Sequence, residues 1–262
     1  MRFYLFVLSA LFFPIQPEKE AKCAAVYRCG QPSGTEMLIA DTTSVAYLMG
    51  KFIPSQHPEF HKIDKLYSTR ENAFLRKEAY VAFKAMAAEA AKSGITLRIL
   101  SATRNFQDQK KIWERKWIAS KRKEQREKRK LSDLERAEQI LKFSSMPGSS
   151  RHHWGSDIDL NSLDNGYFAQ GEGKLIYQWL QSNAWRFGYC QPYTSRQNGR
   201  TGYEEEKWHW SYRPLADGLT LAAKNKLKDE LFRDFSGAEL APQIQMLRRY
   251  VLGVSANCFA KR

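Results

Sequence analysis

Between Arg70 and Ser93, apolar residues recur every three to four positions. Phe74, Leu75, Ala79, Phe83, Met86 and Ala90 fall near one face, so the pattern predicts a helix, with Gly94 as its C-cap. Ile95 to Leu100 then alternates, with Ile95, Leu97 and Ile99 on one face, as a strand does. A second helix is predicted from about Asn105, with Ile112, Trp113 and Trp117 on its buried side, running into the basic stretch KRKEQREKRK. Ser132-x-x-Glu135 matches a capping box and restarts a helix through Leu141, and SSMPGSS closes that segment as a loop. Gly155 to Leu160 and Lys207 to Tyr212 read as short strands, and Gly173 to Arg186 as a helix stopped by Gly188. Beyond Pro214 the chain reads as helical, with Leu219, Leu227, Leu231, Leu247 and Val251 as packing residues. Helices against a small sheet make an α+β arrangement.

Of 262 residues, 43% are hydrophobic and 13% aromatic, which is globular and excludes collagen-like or wholly disordered classes. A formal charge of +14 favours a polyanionic neighbour: nucleic acid, anionic lipid or an anionic cell wall. Charge alone does not choose among them. The bland reading of the basic stretch, a solvated helix face or a mobile insertion, is preferred over a polymer contact. Residues 1–22 read as a signal peptide or an N-terminal anchor. Arg2 precedes an apolar run from Phe3 to Phe13, short of the roughly 20 residues a spanning helix needs. A membrane is expected as a partner only if that segment stays uncleaved. Cys23, Cys29, Cys190 and Cys258 form no CxxC pair and permit three disulfide pairings, so export to the periplasm or cell envelope is expected.

The chemistry concentrates in two segments that hold three of the five histidines, SRHHWGSDIDL (Ser150 to Leu160) and EEEKWHWSY (Glu204 to Tyr212). Catalytic zinc takes three ligands from His and Asp/Glu and keeps a fourth position open. In a strand Asp157 and Asp159 share a face, whereas His152 and His153 point in opposite directions. Periodicity does not say which of each pair meets a metal. His57 and His61 are four apart, but Pro58 and the lack of an HExxH pattern make a polar loop the better reading.

The first segment resembles the Ser-x-His-x-x-Gly-x-x-x-Asp signature of VanY-type D-alanyl-D-alanine carboxypeptidases and D-Ala-D-Ala dipeptidases, here Ser150, His152, Gly155 and Asp159. The Glu-x-Trp-His element of that family is met by Glu206, Trp208 and His209, and an upstream Ser-x-x-Arg-x-x-x-x-Gln by Ser101, Arg104 and Gln109. All three occur in order over roughly Lys65 to Pro214.

The resemblance implies a small, mostly antiparallel sheet packed with helices, over a peptidase domain at 36–215. A basic helical insertion at about 118–143 and a helical extension at 216–262 lie outside the core pattern. It implies Zn2+ held by His152, Asp159 and His209, with Glu206 as catalytic base. Arg104, Ser150 and Gln109 become substrate binders, the first two for a terminal carboxylate. Asp157 departs from the family, where a small residue is usual; it either orients a ligand by a hydrogen bond or merely sits beside the site. His153 is either structural or a support behind the ligands, and Trp208, a further candidate for such support, is read as packing ahead of a substrate platform. The implied substrate is a peptidoglycan stem peptide losing its terminal D-alanine. Relatives acting as L,D-carboxypeptidases, D,D-dipeptidases or endopeptidases use the same site. A non-catalytic wall-binding module would lack Glu206 or Arg104, and a nucleic-acid partner would explain neither the leader nor the His/Asp/Glu pattern, so none is expected.

Overall fold

The strand-forming segments are short, and each owes its place to a partner far along the chain. The computed structural model describes residues 34–258; the predicted leader, Cys23 and Cys29 lie outside them. Strands β1 (Phe60–Lys62) and β2 (Phe74–Arg76) form an antiparallel hairpin. A four-stranded antiparallel sheet has the order β3 (Ile99–Ser101), β4 (Asp157–Leu160), β6 (His209–Tyr212), β5 (Tyr189–Cys190). Its two central strands are buried almost throughout, consistent with helices and loops covering both faces. With the helices below, this is the α+β arrangement expected.

The helix predicted from Arg70 begins instead at Lys77, as α3 (Lys77–Lys92), because Phe74–Arg76 is drawn into the hairpin with Phe60–Lys62. Leu75 is fully buried as a strand residue, so an apolar pair that fits a helix face serves the sheet equally well. Gly94 takes φ +72° after α3, as a C-terminal glycine should. The strand predicted over Ile95–Leu100 pairs only from Ile99, although Leu97 and Ile99 are buried on one face as the alternation requires.

Helix α4 (Phe106–Glu127) starts where Asn105 accepts a hydrogen bond from the Asp108 amide and buries Phe106, Gln109, Trp113 and Trp117. Ile112 is only half-buried. The basic stretch forms the end of this helix as far as Glu127 and the turn after it, and is exposed apart from Glu124, which Arg136 grips at 2.6 Å from α5 (Asp133–Ile140). The predicted capping box of Ser132 and Glu135 is present in both directions. Helix α6 (Gly171–Asn183) leads into a tight turn that Gly188 ends at φ +79°.

Residues beyond 215 pack into the rest of the described chain, which is one compact unit. Helix α7 (Arg213–Lys226) buries Leu215, Ala216, Leu219 and Thr220 and lies against α1 (Gly34–Thr42). After it the chain breaks into short turns rather than one helix. Leu227 and Val251 are buried, Leu231 and Leu247 half-buried. Phe235 meets the Trp113 ring edge-on at 5.9 Å, and Gly237, at φ +74°, lies so close to Trp117 that a Cβ would sit 2.5 Å from the ring. Cys258 is disulfide-bonded to Cys190 on β5. Among the described residues no helix is long and apolar enough to cross a membrane.

A candidate metal centre

Strand register brings the polar residues together. Asp159 on β4 lies opposite His209 on β6, and Asp157 lies opposite Ser211. Directly opposed residues share a face, so both aspartates and His209 converge there. His152 arrives from the turn Arg151–Trp154. That turn ends at Gly155, whose φ of +72° and 2.4 Å approach of the Phe60 ring to a would-be Cβ explain why the motif carries glycine.

One ligand atom from each of His152, Asp159 and His209 lies within 4.8 Å of the others, and all three residues are buried. His152 Nδ1 donates to the Ala102 carbonyl at 2.8 Å, which leaves Nε2 for the cluster, 3.3 Å from Asp159 Oδ2. His209 turns Nδ1 toward Asp159 Oδ1 at 3.3 Å and Glu206 Oε2 at 3.2 Å, while its Nε2 donates to Asp157 Oδ2 at 2.8 Å. Burial works against a second proton on His209, but Asp157, Asp159 and Glu206 outweigh it and push its pKa well above the usual value. His152 is pushed down by burial and by the Arg104 charge. Asp159 Oδ1 is buried and has no hydrogen-bond partner among the described residues. Two histidine nitrogens and a carboxylate with an unsatisfied oxygen are the donor set a divalent cation takes, and His2Asp suits zinc with an open position.

Glu206 is 6% exposed, and burial raises its carboxyl above the ordinary range against the pull of His209 and Arg104. Arg104 bonds Ser101 Oγ at 3.0 Å and stands 3.8 Å from Asp159 Oδ2, while its Nε, Ser150 Oγ and Gln109 Oε1 are buried without hydrogen-bond partners. These groups line one cavity of about 270 Å3. Gln109 also donates to the Ser145 carbonyl at 2.8 Å, bracing the loop that carries Ser150.

Of Asp157, His153 and Trp208, Asp157 is the one whose side chain bonds to a candidate ligand. His153 takes the structural alternative and is a brace: its Nδ1 donates to the Arg104 carbonyl at 2.6 Å and its Nε2 accepts from the Gly148 amide at 3.1 Å. Burial drives its pKa down to about 3. Trp208 forms cavity wall against Phe143, with ring centroids 6.0 Å apart. His57 lies in the loop before β1 but packs among Tyr47, Phe52 and Phe60, whereas His61 lies on β1 itself, stacked on Tyr80.

Sequence reasoning missed Tyr193, whose ring lies 4.7 Å from that of His209, and the half-buried Lys116, which projects from α4 into the same cavity. It also missed Arg151, Ser211 and Thr220 behind the ligands. Lys116 stands seven positions after Gln109, on one helix face, and that spacing was the available signal.

The family model VanY, D-alanyl-D-alanine carboxypeptidase, matches residues 72–215. The candidate carboxypeptidase YodJ of Bacillus subtilis (strain 168) is 29% identical over 148 residues, 54% of this chain and 47% of that protein. A D-alanyl-D-alanine carboxypeptidase of Enterococcus faecium is 24% identical over 160 residues, 61% of this chain and 44% of that protein. The chain thus spans about half the length of the curated relatives it matches. The solved structure of VanYB in complex with D-alanine-D-alanine aligns at a TM-score of 0.49 and 21% identity, over 66% of this chain and 87% of that one. Since the matched region takes in more than half of the sequence and every residue of the cluster, the chain belongs to the VanY family of D-alanyl-D-alanine carboxypeptidases.

Proposed function

We propose that the chain is a zinc peptidase that hydrolyses the terminal D-Ala-D-Ala bond of peptidoglycan stem peptides and releases D-alanine. The observation that carries this reading is the convergence of two unlike sets in one cavity. One is the metal-ligand triad with Glu206 beside it, and the other is a half-buried Arg104, its Nε without a hydrogen-bond partner, with Ser150. When bound by His152 Nε2, Asp159 and His209 Nδ1, zinc supplies a Lewis acid that polarises a carbonyl and brings the pKa of a water toward about 7.

The remaining steps belong to the protein's own groups. Glu206 takes a proton on Oε2 from the attacking water and passes it to the departing amine nitrogen as the C–N bond breaks and the C–O bond forms. Its raised pKa suits the role, because a carboxylate of higher pKa is a stronger base toward the proton of the water, and its acid form can still protonate the departing amine. Arg104 offers a planar fork to the free carboxylate, and Ser150 Oγ donates one further hydrogen bond. That clamp demands a free C-terminus one residue past the cut, which makes the action that of an exopeptidase.

The Cys190–Cys258 disulfide supports location in an oxidising compartment, and hence export. The net positive charge suits an anionic wall. The test is mass spectrometry of a synthetic stem pentapeptide ending in D-Ala-D-Ala, incubated with zinc-loaded protein or with Glu206→Ala. Loss of one D-Ala, absent in the variant, is the expected result. Release of a dipeptide would move the cut, and an intact peptide beside folded, zinc-loaded protein would refute the reading.

A further inference from the structure

Behind His209, on the side away from the cavity, lies a buried polar unit that the family signatures do not contain. Asp157 receives four donors. Its Oδ1 accepts from Ser156 Oγ at 2.5 Å and Ser211 Oγ at 2.9 Å, and its Oδ2 from Arg151 Nε at 3.1 Å and His209 Nε2 at 2.8 Å. Arg151 is itself fully buried, its guanidinium 4.6 Å over the Trp154 ring. It donates from Nη2 to Ser211 Oγ at 2.9 Å and from Nη1 to Thr220 Oγ1 at 2.8 Å. Thr220 spends its own hydrogen on the Ala216 carbonyl at 2.6 Å, which aims its lone pair at Arg151. Every donor therefore has a single direction, and the chain of bonds ends at His209 Nε2.

We propose that Asp157, held by Arg151, Ser211 and Thr220, is a positioning residue that fixes His209 with its proton on Nε2 and its Nδ1 lone pair on the metal. A carboxylate saturated with donors can only accept, so the ring nitrogen facing it must carry hydrogen. Arg151 cancels the charge that Asp157 adds, so the ligand ring is gripped without a further net charge behind the zinc. Because Thr220 lies on α7, beyond the residues that the family model matches, the metal site extends into the C-terminal part of this chain. This inference rests on the zinc reading above.

The experiment compares zinc affinity, by competition with a chromophoric chelator, for the parent, Thr220→Val and the double variant Arg151→Met with Asp157→Ala. The double variant removes both buried charges, since Asp157→Ala alone would strand Arg151 and risk the fold. Loss of such outer partners lowers metal affinity about 10- to 100-fold. That loss is expected in the folded double variant, with a smaller one in Thr220→Val. Long-range 1H–15N NMR of the zinc-loaded parent should place the His209 proton on Nε2. Unchanged affinity in a folded double variant, or a proton on Nδ1 in the parent, overturns the proposal. Both readouts are taken without peptide, so a protein that holds zinc this way but cleaves nothing refutes the peptidase reading and leaves this one intact. A parent that takes up no zinc overturns both.

Discussion

Replacing Cys190 and Cys258 together by alanine tests how firmly the C-terminal segment belongs to the catalytic fold. The two cysteines are 68 residues apart, and both are buried. Closing a loop of that length removes chain entropy worth about 4 kcal/mol from the unfolded state. For a protein of this size each kcal/mol moves Tm by roughly 2–4 °C, so the double variant should melt about 8–16 °C lower. The local consequence falls on the loop between β5 and β6, which carries Tyr193 and Glu206. Gln191, next to the bridge, donates to the Tyr193 and Glu206 carbonyls at 3.1 Å each. Arg200 binds the Thr194 and Tyr203 carbonyls at 2.7 and 2.6 Å and reaches Gly253 in the tail at 3.3 Å. Because these bonds remain without the disulfide, catalysis should weaken less than stability does. The assay is thermal unfolding with zinc chelated in parent and variant alike, since bound metal raises Tm by itself. A fall of less than about 2 °C would refute the reasoning, because it would mean that the bridge does not constrain the unfolded chain.

Asp159→Asn should lower zinc affinity at least as much as losing the partners behind His209, read by the same chelator competition; equal affinity would remove Asp159 from the ligand set. Arg104→Lys should raise KM by roughly 10- to 150-fold with kcat little changed, the worth of a charged hydrogen bond of about 1.5–3 kcal/mol. In that variant the preference for a free over an amidated C-terminus should collapse, and a preserved preference would place the carboxylate elsewhere. His153 supplies a pH dependence. Its folded pKa of about 3 lies below the ordinary histidine value of 6.5, so the unfolded chain binds the extra proton between these values and stability falls as pH drops through 6.5. Between pH 7.5 and pH 5 that costs about 2 kcal/mol in urea unfolding of the zinc-free protein, and His153→Asn should lack this component. An identical pH slope in parent and variant would contradict it.

Much of the site was legible because it is written in short spacings. Ser150, His152, Gly155 and Asp159 fall within ten residues, Glu206 and His209 within four, and local backbone geometry suffices to relate them. The capping box at Ser132 and the glycine stop after α3 were legible for the same reason. Arg70–Arg76 was misread because Phe74 and Leu75 satisfy a helix face and a strand equally, and only the distant Phe60–Lys62 decides between them. His153 sat beside a ligand in sequence and yet braces the Arg104 backbone, since adjacent residues in a tight turn point apart.

The sequence by itself determined which residue types meet: two histidines, two carboxylates and an arginine in family order. Periodicity left Asp157 and Asp159 equivalent, because both lie on one face of one strand, and the family resemblance alone favoured Asp159. Tertiary structure separates them by the register of β4 on β6. His209 stands between the two aspartates, Nδ1 toward Asp159 and Nε2 toward Asp157, and Arg151 with Thr220 from α7 holds the second as a fixed acceptor. Periodicity along a chain encodes faces, whereas the choice between ligand and support depends on which distant donors arrive at each oxygen.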